Sequence, residues 1–383
     1  MSSTTPIPDA DTDANKSLRI GVLGAGQLGR MLALAGIPLG YQFVFVDPSP
    51  EAPAAAVGKQ VACGYDDPLG HDALAACQVV TYEFESVPVE AAEALAERVP
   101  VFPPPFALRV AQDRLAEKNC FRWLGIGTAP FEAIDSLDDL ARAVESLGLP
   151  AVLKTRRLGY DGKGQFVLRR ADEIATAWAA VGGVPSILEG FVRFERELSL
   201  LAVRGRDGEI VFYPLVENHH QRGILRKTIA PAPALTVDLQ ATAETYAIRI
   251  LEHLNYVGVL ALELFQIGGT LLVNEVAPRV HNSGHYSIEG SRTSQFENHV
   301  RAILGLPLGD TSACSPSCML NLVGTLPKSD AVLSVPDAHL HSYGKLPRPG
   351  RKVGHITVRA NSEAELAERV AALEAIPGVC EVE

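Results

Sequence analysis

The chain has 383 residues, 47% hydrophobic and 21% charged, an ordinary globular balance with enough length for two or three domains. Its formal net charge of −11 argues against general nucleic-acid binding, so any phosphate-binding surface must be a local pocket of Lys and Arg. No run approaches the roughly 18 consecutive apolar residues of a membrane span, which excludes that class of membrane protein.

Residues 1–17, MSSTTPIPDADTDANKS, have no basic stretch followed by an apolar core, so they read as a disordered tail and not as a secretory signal. Strands are predicted at 18–23, 42–46, 57–62 and 78–82, with helices at 29–35 and 90–98. This βαβ rhythm predicts a parallel sheet with helices on both faces, ending at the FPPPF run of 102–106. The first strand runs into Gly24-Ala25-Gly26-Gln27-Leu28-Gly29, a G-x-G-x-x-G at a helix start, and Asp47 ends the second strand. Taken alone, that pattern admits a nicotinamide-dependent dehydrogenase, with Asp47 as the ribose-binding acid. The same turn also occurs where the fold needs it only for packing.

A helix at 111–124 leads into a second region, an α+β unit. Its strands are predicted at 151–154, 165–168, 186–189, 197–203 and 210–214, and its helices at 137–147, 171–181 and 237–254. Lys154 ends an apolar strand, and the run Gly159-Tyr160-Asp161-Gly162-Lys163-Gly164-Gln165 follows. So many glycines make a loop that can close over a triphosphate with its N–H groups, while Lys154 supplies charge; the bland alternative is a surface hairpin beside a stray lysine. The segment Glu189-Gly190-Phe191-Val192 can offer backbone groups to an adenine edge and leave Glu197 for ribose hydroxyls, or can simply be a buried strand. His220 and Arg226 lie in ENHHQRGILRKTIAP, which reads as a polar loop.

Two more strands, at 257–265 and 270–276, flank Gly268-Gly269 and read as a tight hairpin. They carry Glu263, Asn274 and Glu275, and the polar cluster Arg279, His281, Asn282, Ser283 and His285 follows at once. Carboxylates and an amide beside cationic groups suit hard cations and phosphates. The remaining segment, from 308 onward, has strands predicted at 319–323, 339–341 and 354–358 and a helix at 363–373. The six cysteines are scattered; only Cys314 and Cys318 approach metal-ligand spacing, so free thiols of a cytoplasmic protein are expected.

In this order, the strand lysine, glycine loop, adenine-facing strand and Glu…Asn-Glu carboxylates resemble the ATP-grasp superfamily. Within it the chain resembles the N5-carboxyaminoimidazole ribonucleotide synthetase family from Arg19 to about Val358. The strings that carry the likeness are GVLGAGQLGRML, TYEFESVP, QDRLAEK, LGYDGKGQ, FYPLVENHHQRGILRKTIAP, NEVAPRVHNSGHY and YGKLPRPGRKVGH. The formate-dependent glycinamide ribonucleotide transformylases share the NEVAPR-like segment but favour Asp after the His, where this chain has Asn282, and the YGK…RPGRKVGH tail favours the carboxylase.

The resemblance implies a mixed α/β and α+β ATP-grasp fold. A Rossmann-like pre-ATP-grasp domain would occupy 18–110, the ATP-grasp domain 111–307 and a small β-rich C-terminal domain 308–383. It implies ATP- and bicarbonate-dependent carboxylation of 5-aminoimidazole ribonucleotide through carboxyphosphate, in de novo purine synthesis, by a cytoplasmic homodimer. ATP would be bound by Arg114, Lys154, the loop Gly159, Tyr160, Asp161, Gly162, Lys163, Gly164 and Gln165, the segment Glu189, Gly190, Phe191 and Val192, and Glu197, His220, Asn274 and Glu275. Glu263 and Glu275 would hold Mg²⁺, and Arg279, His281 and Asn282 would hold bicarbonate. Tyr160, Asp161 and Lys163 would face the aminoimidazole. Lys345 and Arg351 would take the 5′-phosphate, with Arg348 and Lys352 as further candidates. Glu83 is the candidate acid at the substrate, with Glu85 as the alternative, and either Asp161 or Glu83 could act as base.

Overall fold

The computed structural model describes residues 18–159 and 164–380. The expected tail and the loop residues Tyr160, Asp161, Gly162 and Lys163 lie outside the described residues. Strands β1 (Arg19–Leu23), β2 (Gln42–Asp47), β3 (Lys59–Ala62) and β4 (Val79–Tyr82) form the parallel sheet expected from the sequence, in the order β3-β2-β1-β4. Consecutive residues of β1, β2 and β4 are mostly apolar because both faces are covered, whereas the edge strand β3 is partly exposed. Ile20, Val22, Phe43 and Phe45 face the helix Gln27–Gly36, while Leu23, Val44 and Val46 join Leu74 and Leu95 from two other helices. The strand order reverses between β1 and β4, and Leu23 pairs with Tyr82. Gly24 and Glu83 therefore leave the sheet side by side, at the crevice where open parallel sheets place ligands.

A second sheet contains β5 (Phe131–Ile134), β6 (Ala151–Thr155), β7 (Gln165–Leu168) and β8 (Ser186–Gly190), antiparallel in the order β5-β8-β6-β7. Leu140 and Val144 of the helix Leu137–Leu147 and Ala177 of Ile174–Ala180 close its core.

The third sheet is antiparallel and holds β9 (Arg196–Arg204), β10 (Ile210–Phe212), β11 (Val216–Gln221), β12 (Ile224–Ala230), β13 (Gly258–Ile267), β14 (Thr270–Ala277), β15 (Ser317–Val323), β16 (Ala338–Ser342) and β17 (Lys352–Arg359). Its order is β14-β13-β9-β11-β12-β15-β17-β16, with β10 on β9. Because β12 pairs with β15, Lys227 opposite Leu320, one sheet runs unbroken from the carboxylate hairpin into the C-terminal segment. Leu239, Ala243, Ala247 and Leu251, along one stripe of the helix Val237–His253, pack on the β9 and β13 side.

Two sequence expectations change. The helix expected at 111–124 runs from Arg114 to Trp123, and a separate helix that the sequence did not announce, Pro105–Ala111, precedes it. Asp113 starts the helix Arg114–Trp123 by accepting the Leu115 and Ala116 N–H groups at 3.0 and 3.1 Å. The expected polar loop around His220 and Arg226 is the hairpin β11–β12, turning at Arg222 and Gly223 with φ +53° and +76°. All six cysteines are free, and no described helix is long and apolar enough to cross a membrane.

Candidate active site

The hairpin β13–β14 turns at Gly268-Gly269, with Ile267 opposite Thr270. Farther along, Glu263 faces Glu275 while Leu264 faces Val273, so Asn274 is the extra residue of a β-bulge. Directly opposed residues share a face of the sheet, which brings the two carboxylates to one side. Glu275 accepts the Arg114 guanidinium at 2.6 Å, and Arg114 also donates to the Gly159 carbonyl at 3.3 Å. Glu263 lies 3.2 Å from His281 Nε2, and His281 Nδ1 lies 2.8 Å from the Ser283 hydroxyl. Burial opposes the charge on Glu263, but the hydrogen bond and charge of His281 outweigh it and hold this carboxyl well below its ordinary range.

The Asn274 side-chain oxygen is buried with no hydrogen-bond partner. Two carboxylates and an orphan amide oxygen form a hard-donor set that fits Mg²⁺, a cation usually shared with phosphates and water. No group of three or more His, Cys, Asp and Glu among the described residues could hold a metal by itself.

On the side expected to take the nucleotide, Glu189 of β8 receives Lys154 of β6 at 3.1 Å and Lys118 at 3.5 Å, and its other oxygen is buried without a partner. Burial works against the Glu189 charge, yet the two ammonium groups pull its pKa below the ordinary value. Lys118 was not singled out from the sequence. The available signal was its place one helical turn after Arg114 in RLAEK, which puts both cations on one face. Beyond Glu189, the Gly190 and Phe191 N–H groups donate to the carbonyls of Pro130 and Pro150, and Val192 follows. Glu197 of β9 is ion-paired with His220 of β11. Burial lowers the affinity of His220 for a proton, but Glu197 reverses the balance and raises it. The described end of the glycine loop is anchored where Thr155 N–H meets the Gly164 carbonyl at 2.8 Å and Gln165 pairs with Lys154.

Toward the first sheet, Glu83 and Glu85 go separate ways. Glu83 is buried and accepts the N–H groups of Gly26 and Gly29, the latter at 2.6 Å. Asp47 accepts Ala25 N–H at 3.0 Å, Ser49 N–H at 2.8 Å and the Tyr65 hydroxyl at 3.3 Å. The donors that a dinucleotide would need are thus spent on the protein's own carboxylates, which removes the basis for a nicotinamide site. Glu85 instead pairs with Arg279. Burial would raise its pKa, but the guanidinium prevails and holds it at about 2.

A cavity of about 140 Å³ is lined by Glu85, Gln112, Arg114, Arg157, Gly159 and Glu275, where the first sheet, glycine loop and hairpin meet. Gln295, fully buried, clamps the backbone of His281: its Oε1 accepts the N–H at 2.8 Å and its Nε2 donates to the carbonyl at 2.6 Å. From the C-terminal segment, Lys345 reaches Gln27 in the glycine turn. Burial and the nearby Arg351 bring its pKa down to about 8, against the pull of Glu83. Arg351 follows five residues after Leu346, to whose carbonyl it donates at 3.4 Å. The structure thus gathers Arg114, Glu275 and the Gly159 end of the loop, pairs Glu263 with His281, and brings Lys345 to the N-terminal turn.

Residues 18–112 match the ribonucleotide synthetase preATP-grasp domain, 119–296 the ATP-grasp domain, and 317–369 the phosphoribosylaminoimidazole carboxylase C-terminal domain. The chain is 53% identical to N5-carboxyaminoimidazole ribonucleotide synthase of Pseudomonas aeruginosa, over 94% of this chain and 99% of that protein. It belongs to the N5-carboxyaminoimidazole ribonucleotide synthase family. The crystal structure of the synthetase from Thermus thermophilus superposes with a TM-score of 0.91 at 56% identity, covering 95% and 99% of the two chains. The synthase from Aspergillus clavatus, in complex with ADP and 5-aminoimidazole ribonucleotide, gives 0.86 at 32% identity over 93% and 98%. The ATP-grasp architecture expected from the sequence is thereby established for this family member, including its N-terminal and C-terminal units.

Proposed function

We propose that this chain is an ATP-dependent carbon–nitrogen ligase that carboxylates the exocyclic amine of 5-aminoimidazole ribonucleotide with bicarbonate. The observation that carries this reading is the junction at 263–282, where a two-carboxylate hairpin continues directly into His281 and Arg279, both bound to carboxylates of the cleft.

Bicarbonate is a poor electrophile because hydroxide is a poor leaving group. Its oxygen attacks the γ-phosphorus of ATP, the bond to the β–γ bridging oxygen breaks, and ADP departs with that electron pair. The carboxyphosphate formed then loses inorganic phosphate to give CO₂. The amine lone pair of the ribonucleotide takes up the CO₂ carbon, and loss of one proton leaves the carbamate. In this scheme Arg279, His281 and Asn282 hold bicarbonate, and Lys154 neutralises charge on the transferred group. Arg114, the loop 159–165, Glu189 to Val192, Glu197, His220 and Asn274 bind the nucleotide. Tyr160, Asp161 and Lys163 face the aminoimidazole, and Lys345 and Arg351 hold its phosphate. Glu263 and Glu275 would hold Mg²⁺, which supplies charge neutralisation on the phosphates. Asp161 and Glu83 are the candidates for the proton acceptor, and burial raises the Glu83 pKa in the direction that suits a base. A closed cleft protects carboxyphosphate from water.

The test is ADP release with bicarbonate, measured with and without the ribonucleotide. Release that needs both compounds is expected. Turnover with formate in place of bicarbonate would replace this reading with the related transformylase. A homodimer and a cytoplasmic location belong to the same proposal, checked by sedimentation of the purified chain and by cell fractionation.

A further inference from the structure

Asn282 is not free to present either end of its amide. Asn321 of β15, only 1% exposed, donates from Nδ2 to the Leu225 carbonyl of β12 at 2.9 Å and to Asn282 Oδ1 at 2.7 Å. Its Oδ1 accepts from Asn282 Nδ2 at 3.0 Å. A backbone carbonyl can only accept, so the Asn321 atom facing Leu225 must be nitrogen, and that one contact fixes the orientation of the whole pair. The Asn282 oxygen is then turned toward Asn321, as is one of its two N–H groups. Its second N–H has no other partner among the described residues.

We propose that Asn321 is a positioning residue that orients the Asn282 amide so that it offers an N–H donor to the bound bicarbonate. The proposal rests on the assignment of bicarbonate to Arg279, His281 and Asn282. An amide turned the other way would put a carbonyl oxygen against the anion and oppose the guanidinium and imidazole beside it. Leu225 also stands opposite His220 in the hairpin β11–β12. The carbonyl that fixes the acceptor side therefore belongs to the same hairpin as a nucleotide-side residue.

The experiment is steady-state kinetics of the full chain carrying Asn321→Asp. In either charge state the carboxyl cannot donate to both Leu225 and Asn282. The KM for bicarbonate should rise about tenfold or more, the loss expected for one hydrogen bond to an anion, while the KM for ATP stays within about twofold. Asn282→Ala should raise the same constant, and the double variant should be no worse than Asn282→Ala alone. If Asn321→Asp does not fold, Asn321→Thr carries the same measurements, because it keeps a hydroxyl donor but gives up the amide pair. An unchanged bicarbonate KM at position 321, or additive effects in the double variant, would overturn the positioning role. An Asn282→Ala variant with an unchanged bicarbonate KM would instead remove the bicarbonate assignment beneath it.

Discussion

Two glycine-rich segments follow strands in this chain, and they are held in opposite ways. After β1, the turn Gly24–Gly29 is tied from inside: Ala25 N–H goes to Asp47, and the Gly26 and Gly29 N–H groups go to Glu83. Gly24 has φ +98°, and a Cβ there would come within 2.5 Å of the Glu83 side chain, so glycine is required for a close approach by the protein itself. After β6, the described ends of the loop 159–165 are joined to the protein at their base, through Thr155 to Gly164 and Arg114 to Gly159. A glycine string announces that something approaches the backbone; neighbouring carboxylates decide what does. In the first segment it is a buried acid, and in the second we assign it to phosphate.

The strongest way to break this contrast is at the second segment. Lys154→Ala should lower bicarbonate-dependent ADP release by at least about 10²–10³-fold, because it removes the charge that the proposed mechanism assigns to the transferred phosphoryl group. Glu275→Ala should have a loss of the same order, with far-ultraviolet circular dichroism unchanged. Ordinary turnover in either variant would remove the nucleotide assignment. The next largest effect is expected where the C-terminal loop meets the first segment. Lys345→Ala with Arg351→Ala should raise the KM for the ribonucleotide about 100-fold and change kcat much less, since a remote phosphate supplies positioning. An unchanged KM would sink the phosphate site.

Much of this was legible because it is written in local periodicity. The βαβ alternation predicted the parallel sheet, and Gly268-Gly269 between two apolar runs predicted the hairpin that carries Glu263 and Glu275. The hairpin β11–β12 was missed because part of its inward face is polar: Asn218 and Thr228 are buried and bonded to each other at 2.9 Å, so the alternation looks like a wet loop. Asn321 and Gln295 escaped for a related reason. Asn321 is a buried amide in an apolar strand and Gln295 a buried amide opening a mixed helix, and the meaning of each lies in a partner outside its own element. Glu83 and Glu85 were indistinguishable two positions apart; only the crevice at the β1–β4 switch separates one into the turn and the other toward Arg279.

A smaller and more discriminating effect is expected from Glu83→Gln. The amide keeps one acceptor oxygen but turns its nitrogen toward a backbone donor, which should cost about 1–3 kcal/mol of folding stability. Urea unfolding measures it. A full loss of turnover with unchanged stability would make Glu83 the proton acceptor and not the clamp of the turn, and would leave Asp161 out of that role.

The smallest expected effect concerns Lys345, where the C-terminal segment meets the N-terminal glycine turn. Lys345 titrates at about 8, drawn down by burial and by Arg351. Its ammonium is present below that pH and lost above it, so in the proposed site it would attract the substrate phosphate on the acid side only. The kcat/KM for the ribonucleotide should therefore fall as pH rises through about 8, by no more than roughly tenfold per pH unit, while kcat at saturation stays nearly level. The neighbouring Arg351 should limit the fall. In Lys345→Arg the guanidinium does not deprotonate in this range, so the alkaline limb should disappear even if binding is weaker overall. A limb that persists in Lys345→Arg would assign the titration to another group and leave the contact with Gln27 as a structural tie.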